Sequence, residues 1–492
     1  SLPITSNNIH HNKDQVFQDN FLNETFWALS SQGPAYAIDQ DNIYFVKGTV
    51  DFYSKLFDGI RNAKRRITMA SLYLGTGMNE KQLVSELMAA CERSPSLKVH
   101  YHLDGLRGSR LMPSKFDPNI LASSATMLQL LLNAYPTRVT ITMYHTPDLT
   151  GLLKRVLPQR TNEVIGISHM KAYVFDNDFM IGGANLSMDY GKREDRVVCV
   201  SKTESLATFF DNLVRTIGEL SYKLDISGKV INQGSVDPVT ESSHFKAVAE
   251  KRLTSLLEPN SFYLPNNSKQ SLSSPLDAPT TRSNGKLTWI FPTIQMGRFN
   301  IQHDQVCSSY IFANIPSSSM LYFATPYFNM TKNYTQLLLT CKPKMEMITC
   351  SPISNGFAGA TGASSIVPDC YGWIKRQFLQ KVLDTGNGDR ISMREYTRPQ
   401  DHNKGIWVTP INEQTPNFTI IGSPNFGKRS LEKDIEAQII IMTENDTVRQ
   451  IIENDRLYIW NVSTPINMEM LKKERKASLW VKFMLYIFGN YL

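Results

Sequence analysis

The chain has 492 residues, with 52 Lys plus Arg against 45 Asp plus Glu for a net charge of +7, and it is 41% hydrophobic and 20% charged. At about 150 residues per domain this length suits three domains or two large ones. The apolar share is near the globular average and the charge share slightly below it, which excludes wholesale disorder, collagen-like sequence and a multi-span membrane protein.

Cys91, Cys199, Cys307, Cys341, Cys350 and Cys370 are widely spaced with no C-x-x-C. That spacing argues against a zinc cluster or a dense disulfide framework and favours a reducing compartment. The chain begins at Ser1 and its first twenty residues are mostly polar, so a targeting presequence is expected to have been removed or to lie outside this sequence.

In chain order, residues 66–75 read as a buried strand, 80–92 as an amphipathic helix and 97–104 as the next strand. That βαβ unit implies a parallel sheet. Residues 320–328 and 345–352 repeat the two strands at offsets of 254 and 248. Between the halves, a helix is expected over about 240–257. Residues 258–285 hold four Pro, six Ser and four Asn, a composition for a loop or linker. The last 22 residues carry a net +4 and end in an aromatic, apolar run too short and interrupted to span a bilayer. Such a tail suits an interfacial anchor on anionic lipid, or else a C-terminal helix packed on the core.

The first half contains His169-Met170-Lys171 and, after a strand over 179–181, the turn Gly182-Gly183-Ala184-Asn185. On a strand, His169 and Lys171 would share one face. His402-Asn403-Lys404 and Gly422-Ser423-Pro424-Asn425 repeat the pattern at offsets of 233 and 240. One H-x-K is unremarkable in a chain this long, whereas two, each followed by G-[GS]-x-N at the matching place, are not.

These motifs resemble the phospholipase D superfamily, whose signature is H-x-K-x4-D followed by G-[GS]-x-N. Asp176 supplies the motif aspartate in the first copy, and Thr409 stands in its place in the second. The resemblance implies an α/β fold of two phospholipase D-like α/β/α sandwich domains in a pseudo-twofold arrangement, with one active site at their interface. The expected boundaries are an N-terminal extension (1–39), a first domain (40–230), a connecting helix and linker (231–285), a second domain (286–465) and a basic aromatic tail (466–492). Asp176 would be structural. Asp195 and Glu436, ten and eleven residues after the two asparagines, would orient the imidazoles.

Phosphodiester chemistry needs a nucleophile, an acid for the leaving oxygen and fixed positive charge on the non-bridging oxygens. Two histidines fill the first two roles. Lys171, Lys404, Asn185 and Asn425 fill the third, so neither metal nor cofactor is expected. Candidate substrate-binding residues are Asp104 and Arg107 at a parallel strand end, Ser423 in the second turn, and the flanking Arg160 and Arg429. The basic residues Lys154, Arg155, Lys192, Arg193, Arg196 and Lys428 lie near the motifs too.

Segments 70–75, 103–110, 183–190, 351–357 and 402–407 together resemble the eukaryotic CDP-diacylglycerol:glycerol-3-phosphate 3-phosphatidyltransferases, over about residues 40–465. That likeness implies CDP-diacylglycerol and glycerol 3-phosphate as substrates, a phosphatidyl-histidine intermediate, and a peripheral site on the matrix side of the mitochondrial inner membrane with its anionic surface. The alternatives are a related phosphatidylserine or cardiolipin synthase, a nuclease, and an inactive scaffold. The nuclease is disfavoured because the excess charge sits in an apolar tail rather than along a basic stripe, and no nucleic-acid partner is expected. The intact His, Lys and Asn pairs weigh against the scaffold.

Overall fold

The computed structural model describes residues 15–114, 119–151, 162–187, 194–232, 234, 236–265, 269–271, 281–282, 285–360, 365–398, 401–475 and 477–488. Two mixed sheets repeat one strand order. In the first, Arg66–Ser71, Lys98–Asp104 and Val139–Tyr144 run parallel. On the other side of Arg66–Ser71, Ala172–Phe175, Asp178–Gly182, Val197–Val200 and Ile43–Phe45 follow in antiparallel succession. The second sheet builds the same sequence of pairings from Ser319–Ala324, Lys344–Thr349 and Ile391–Tyr396, then Gly405–Pro410, Phe418–Gly422, Glu436–Thr443 and Thr288–Gln295. Each half therefore ends its parallel strands at the same edge, where ligand sites of α/β sheets form.

Helices Gly48–Asn62, Met78–Arg93 and Ser124–Ala134 cover the outer face of the first sheet, burying residues such as Leu56, Leu87 and Leu131. Val367–Asp384 and His303–Asn314 do the same for the second. The inner faces share one core. Ile181 and Val198 from one sheet and Ile421, Ile439 and Ile441 from the other enter it, with helices Glu204–Glu219 and Asp446–Trp460 between. Burying both faces of each sheet accounts for strands that read as continuous apolar runs.

The N-terminal extension and the linker need correction. Ala35–Ile38 pairs with Thr288–Gln295, and Ser261–Tyr263, expected as loop, pairs with Ala35–Ile38. Both segments thus belong to the second sheet. Tyr36 and Ile38 enter the shared core while Ala35, Ala37 and Phe262 enter the outer one. Strands of three and four residues with apolar side chains on both faces carry no alternation to mark them.

Asp176 sits at the turn between two strands with φ 51°. Its carboxylate accepts from the backbone N–H of Lys64 and Arg65 at 2.8 Å and Arg66 at 2.9 Å. Burial raises its pKa, but these donors outweigh burial and hold it below the usual carboxylate range. The sign follows: the stability it adds is present above the unfolded carboxylate value and is lost as pH falls through the lowered one. Asp176→Ala is expected to cost about 1–3 kcal/mol, since three N–H groups lose a charged acceptor. Thermal unfolding checks this, and the loss should shrink in acid. In the second half, where Thr409 stands in place of this aspartate, Ile411 N–H donates to Ser318 O at 2.7 Å.

Candidate active site

The histidines lie just before strands rather than within them. His169 and Lys171 precede Ala172–Phe175, and His402 and Lys404 precede Gly405–Pro410. These extended segments stitch the halves together. His169 N–H donates to Ile435 O and Ile435 N–H to Ile167 O, both at 2.9 Å, and His402 N–H donates to Glu194 O at 2.8 Å.

The stitching crosses the acids over. His169 Nδ1 lies 3.0 and 3.1 Å from the two carboxylate oxygens of Glu436, in the other half. His402 Nδ1 lies 2.7 Å from Asp195 Oδ1, again in the other half. A carboxylate accepting from Nδ1–H puts the lone pair of each neutral ring on Nε2. Lys404 Nζ is 3.2 Å from Asp195 Oδ1 and 2.9 Å from His402 Nδ1, and Lys171 Nζ donates to His169 O at 2.5 Å.

The two rings differ in access. The His169 side chain is 12% exposed and that of His402 5%. Burial pushes the His169 pKa well below its ordinary value, and Lys171 acts in the same direction. Burial raises the Glu436 pKa, with Lys171 opposing. His169 is accordingly neutral at neutral pH, the form a nitrogen nucleophile requires.

The turns after the second strands explain their small residues. A Cβ on Gly183 would collide with Lys404 Nζ, so only glycine lets the cation of one half reach the turn of the other. Asn185 and Asn425 hold buried Oδ1 atoms in matching positions, each with no hydrogen-bond partner among the described residues.

Other expected residues fall differently. Asp104 is fully buried, with Oδ1 accepting from Arg107 N–H at 2.8 Å and Oδ2 from Ser168 N–H at 3.0 Å. Burial raises its pKa to about 7. It braces the residue before His169 and has no face for a substrate. Ser423 is likewise fully buried, its hydroxyl bonded to the Ala437 backbone beside Glu436. Arg196 is a buried tie, not a phosphate contact: it donates to Asp455, Ile420 O and Thr419 at 2.6–2.8 Å and stacks on Trp407. Arg160 and Lys154, Arg155, Lys192 and Arg193 lie outside the described residues.

Arg107 and Arg429 do come together, from opposite halves, around Glu163. Arg107 Nη1 is 3.7 Å from the Glu163 carboxylate, and Arg429 donates to Glu163 O at 2.8 Å and to Asp434 at 2.9 Å. Arg110, 2.6 Å from Glu163, completes the cluster and was not singled out from the sequence. Tyr327, its ring 5.0 Å from that of His402, was missed for want of any signal in an aromatic-rich chain.

No family model matches the chain. It is 50% identical over 487 residues to a Dictyostelium discoideum protein named probable CDP-diacylglycerol–glycerol-3-phosphate 3-phosphatidyltransferase, covering 98% of this chain and 82% of that one. It is 34% identical to the human protein named as the mitochondrial form of that enzyme, covering 93% and 84%. This chain belongs to the CDP-diacylglycerol–glycerol-3-phosphate 3-phosphatidyltransferase family.

A solved structure, the phosphatidylserine synthase of Haemophilus influenzae, matches with a TM-score of 0.71 at 17% identity over 96% of this chain and 98% of that one. At that identity the match concerns fold, and it extends the two-sheet α/β architecture over nearly the whole length of this family member. A transferase of this family thus carries both H-x-K copies, and the crossed carboxylates tie each histidine to the other half.

Proposed function

We propose that this chain transfers the phosphatidyl group of CDP-diacylglycerol to glycerol 3-phosphate, releasing CMP. The observation that carries the proposal is the crossed pairing of His169 with Glu436 and His402 with Asp195, which supplies two oriented imidazoles to one cleft. Relatives at 50% and 34% identity bear the name of this reaction.

His169 Nε2, the more accessible neutral nitrogen, attacks the phosphorus that bears the diacylglycerol. A P–N bond forms, the P–O bond to CMP breaks, and a phosphatidyl-histidine results. CMP leaves as a phosphate with a second pKa near 6, so it departs with little help from an acid. His402 Nε2 then takes the proton of the glycerol 3-phosphate hydroxyl as its oxygen attacks, breaking the P–N bond and freeing His169. Lys171, Lys404 and the amides of Asn185 and Asn425 balance charge on the non-bridging oxygens. Arg107, Arg110 and Arg429 suit the phosphate of the acceptor.

With those cations and amides in place, turnover is expected to survive EDTA after divalent ions are stripped from protein and substrate. A strict Mg²⁺ requirement for chemistry would contradict the assignment of Lys171 and Lys404. The reaction itself is tested with purified protein, CDP-diacylglycerol in detergent, and labelled glycerol 3-phosphate or serine. Phosphatidylglycerophosphate from the first and no lipid product from the second is the expected pair. Product from serine alone would move the chain to the phosphatidylserine synthases.

The proposed location is the matrix face of the mitochondrial inner membrane, with the C-terminal segment on its anionic surface. The human relative's name includes the mitochondrion. Leu479–Phe488 is a helix lying on Val367–Asp384, so it packs on the protein and still exposes Trp480 and Phe483. Among the described residues no helix is long and apolar enough to cross a membrane.

A further inference from the structure

The two halves send matching loops past the site. In the first, strand Lys98–Asp104 ends at the carboxylate that accepts from Ser168 N–H, next to His169. The chain then runs through Gly105–Gly108 into a hairpin of Met112–Pro113 and Leu121–Ala122. In the second, the equivalent strand Lys344–Thr349 leads to Cys350, whose thiol donates to Asp401 O beside His402, and the loop 351–360 follows. Both loops therefore start at the parallel strand ends that flank the histidines.

Both hold large apolar side chains in solvent. Leu111, Ile120 and Leu121 of the hairpin are 54–57% exposed, and Ile353 of the second loop is 63% exposed. Phe357 faces Tyr327, whose ring also meets His402. Single exposed apolar residues need no explanation, but a group gathered round one cleft does.

Helix Leu479–Phe488 packs on Val367–Asp384, the helix that follows the 351–360 loop in the sequence. Lys482 Nζ lies 4.6 Å over the ring of Trp373, in the second turn of Val367–Asp384, close to where that helix follows the 351–360 loop. It turns Trp480 and Phe483 outward, stacked at 5.6 Å. Its basic flank, Lys472, Lys473 and Lys482, contributes to the net +4 of the last 22 residues. An apolar rim bordered by an aromatic pair and lysines is complementary to the interface of an anionic bilayer.

We propose that the hairpin residues Leu111, Ile120 and Leu121 and the loop 351–360 insert on opposite sides of the two histidines into an anionic bilayer, so that the mouth of the site faces the membrane. The lipid substrate then reaches the histidines without its acyl chains leaving the bilayer. This rests on the lipid-transferase reading and deepens it, because it names the elements that set the orientation on the membrane, beyond the C-terminal helix alone.

An environment-sensitive fluorophore on full-length Leu121→Cys, and separately on Ile353→Cys, each with Cys199→Ser, tests this with phosphatidylcholine vesicles with or without phosphatidylglycerol. A blue shift is expected at both positions, larger with the anionic lipid, and none on Leu383→Cys at the far end of Val367–Asp384. The double variant Leu121→Ser/Ile353→Ser should bind anionic vesicles about tenfold or more weakly. Its turnover in detergent micelles should be unchanged. Absence of a shift at 121 and 353, an equal shift at 383, or unchanged vesicle binding by the double variant overturns the proposal. So does a wild-type dimer that the double variant dissolves without loss of vesicle binding, which would assign the patch to a second copy of the chain. Wild-type turnover in micelles judges the transferase reading separately: no product there would sink that reading while leaving the vesicle results intact.

Discussion

His169→Ala is expected to abolish both steady-state transfer and the release of CMP in a single turnover, whereas His402→Ala should keep a stoichiometric burst of CMP and then stall. The asymmetry follows from the two half-reactions. Without the His169 nitrogen no P–N bond forms. Without His402 the adduct forms, because CMP needs little protonation to leave, but the acceptor hydroxyl finds no base. General base loss of this kind costs about 10²–10⁴-fold in the step it serves. Rapid-quench measurement of CMP against enzyme concentration separates the variants. The burst in the wild type should also persist below the ordinary imidazole range near pH 6.5, because burial lowers the His169 pKa and the ring stays neutral until pH falls further.

The crossed carboxylates give the second large effect. Glu436→Gln should behave like His169→Ala, losing the burst, although Glu436 lies 267 residues away in the other half. Asp195→Asn should behave like His402→Ala, keeping the burst and losing transfer. An amide in place of the carboxylate no longer fixes the tautomer or stabilises the imidazolium, a change worth up to about 10⁴-fold. Pairing within each half would exchange the two outcomes. Folding should be little affected if the amides keep the same volume, and circular dichroism checks that.

Much of this architecture is legible in the residues. The repeated strands and the two H-x-K plus G-[GS]-x-N sets come from local patterns with fixed spacing, and such patterns survive in one dimension. The pairing of the acids does not. Asp195 lies ten residues after Asn185, so proximity along the chain says nothing of its bond to His402, which depends on two extended segments meeting at Glu194 and Ile435. Burial is the other hidden variable. Asp104 and Arg196 look like ligands for phosphate or sugar in sequence, yet each is enclosed and spent on backbone or ion-pair contacts. The short strands Ala35–Ile38 and Ser261–Tyr263 were hidden for a third reason, since their place at the edge of the second sheet is set by partners far along the chain.

In the proposed reaction His169 carries the phosphatidyl group between the two halves' contributions to one site. It is tested most directly by mixing His402→Ala protein with CDP-diacylglycerol labelled in the lipid phosphate, quenching in alkali where a P–N bond survives, and mapping the label by peptide mass spectrometry. One phosphatidyl group per chain is expected on His169, discharged neither by glycerol 3-phosphate nor quickly by water. Label on another residue, or a CMP burst with no protein-bound lipid phosphate, would contradict it.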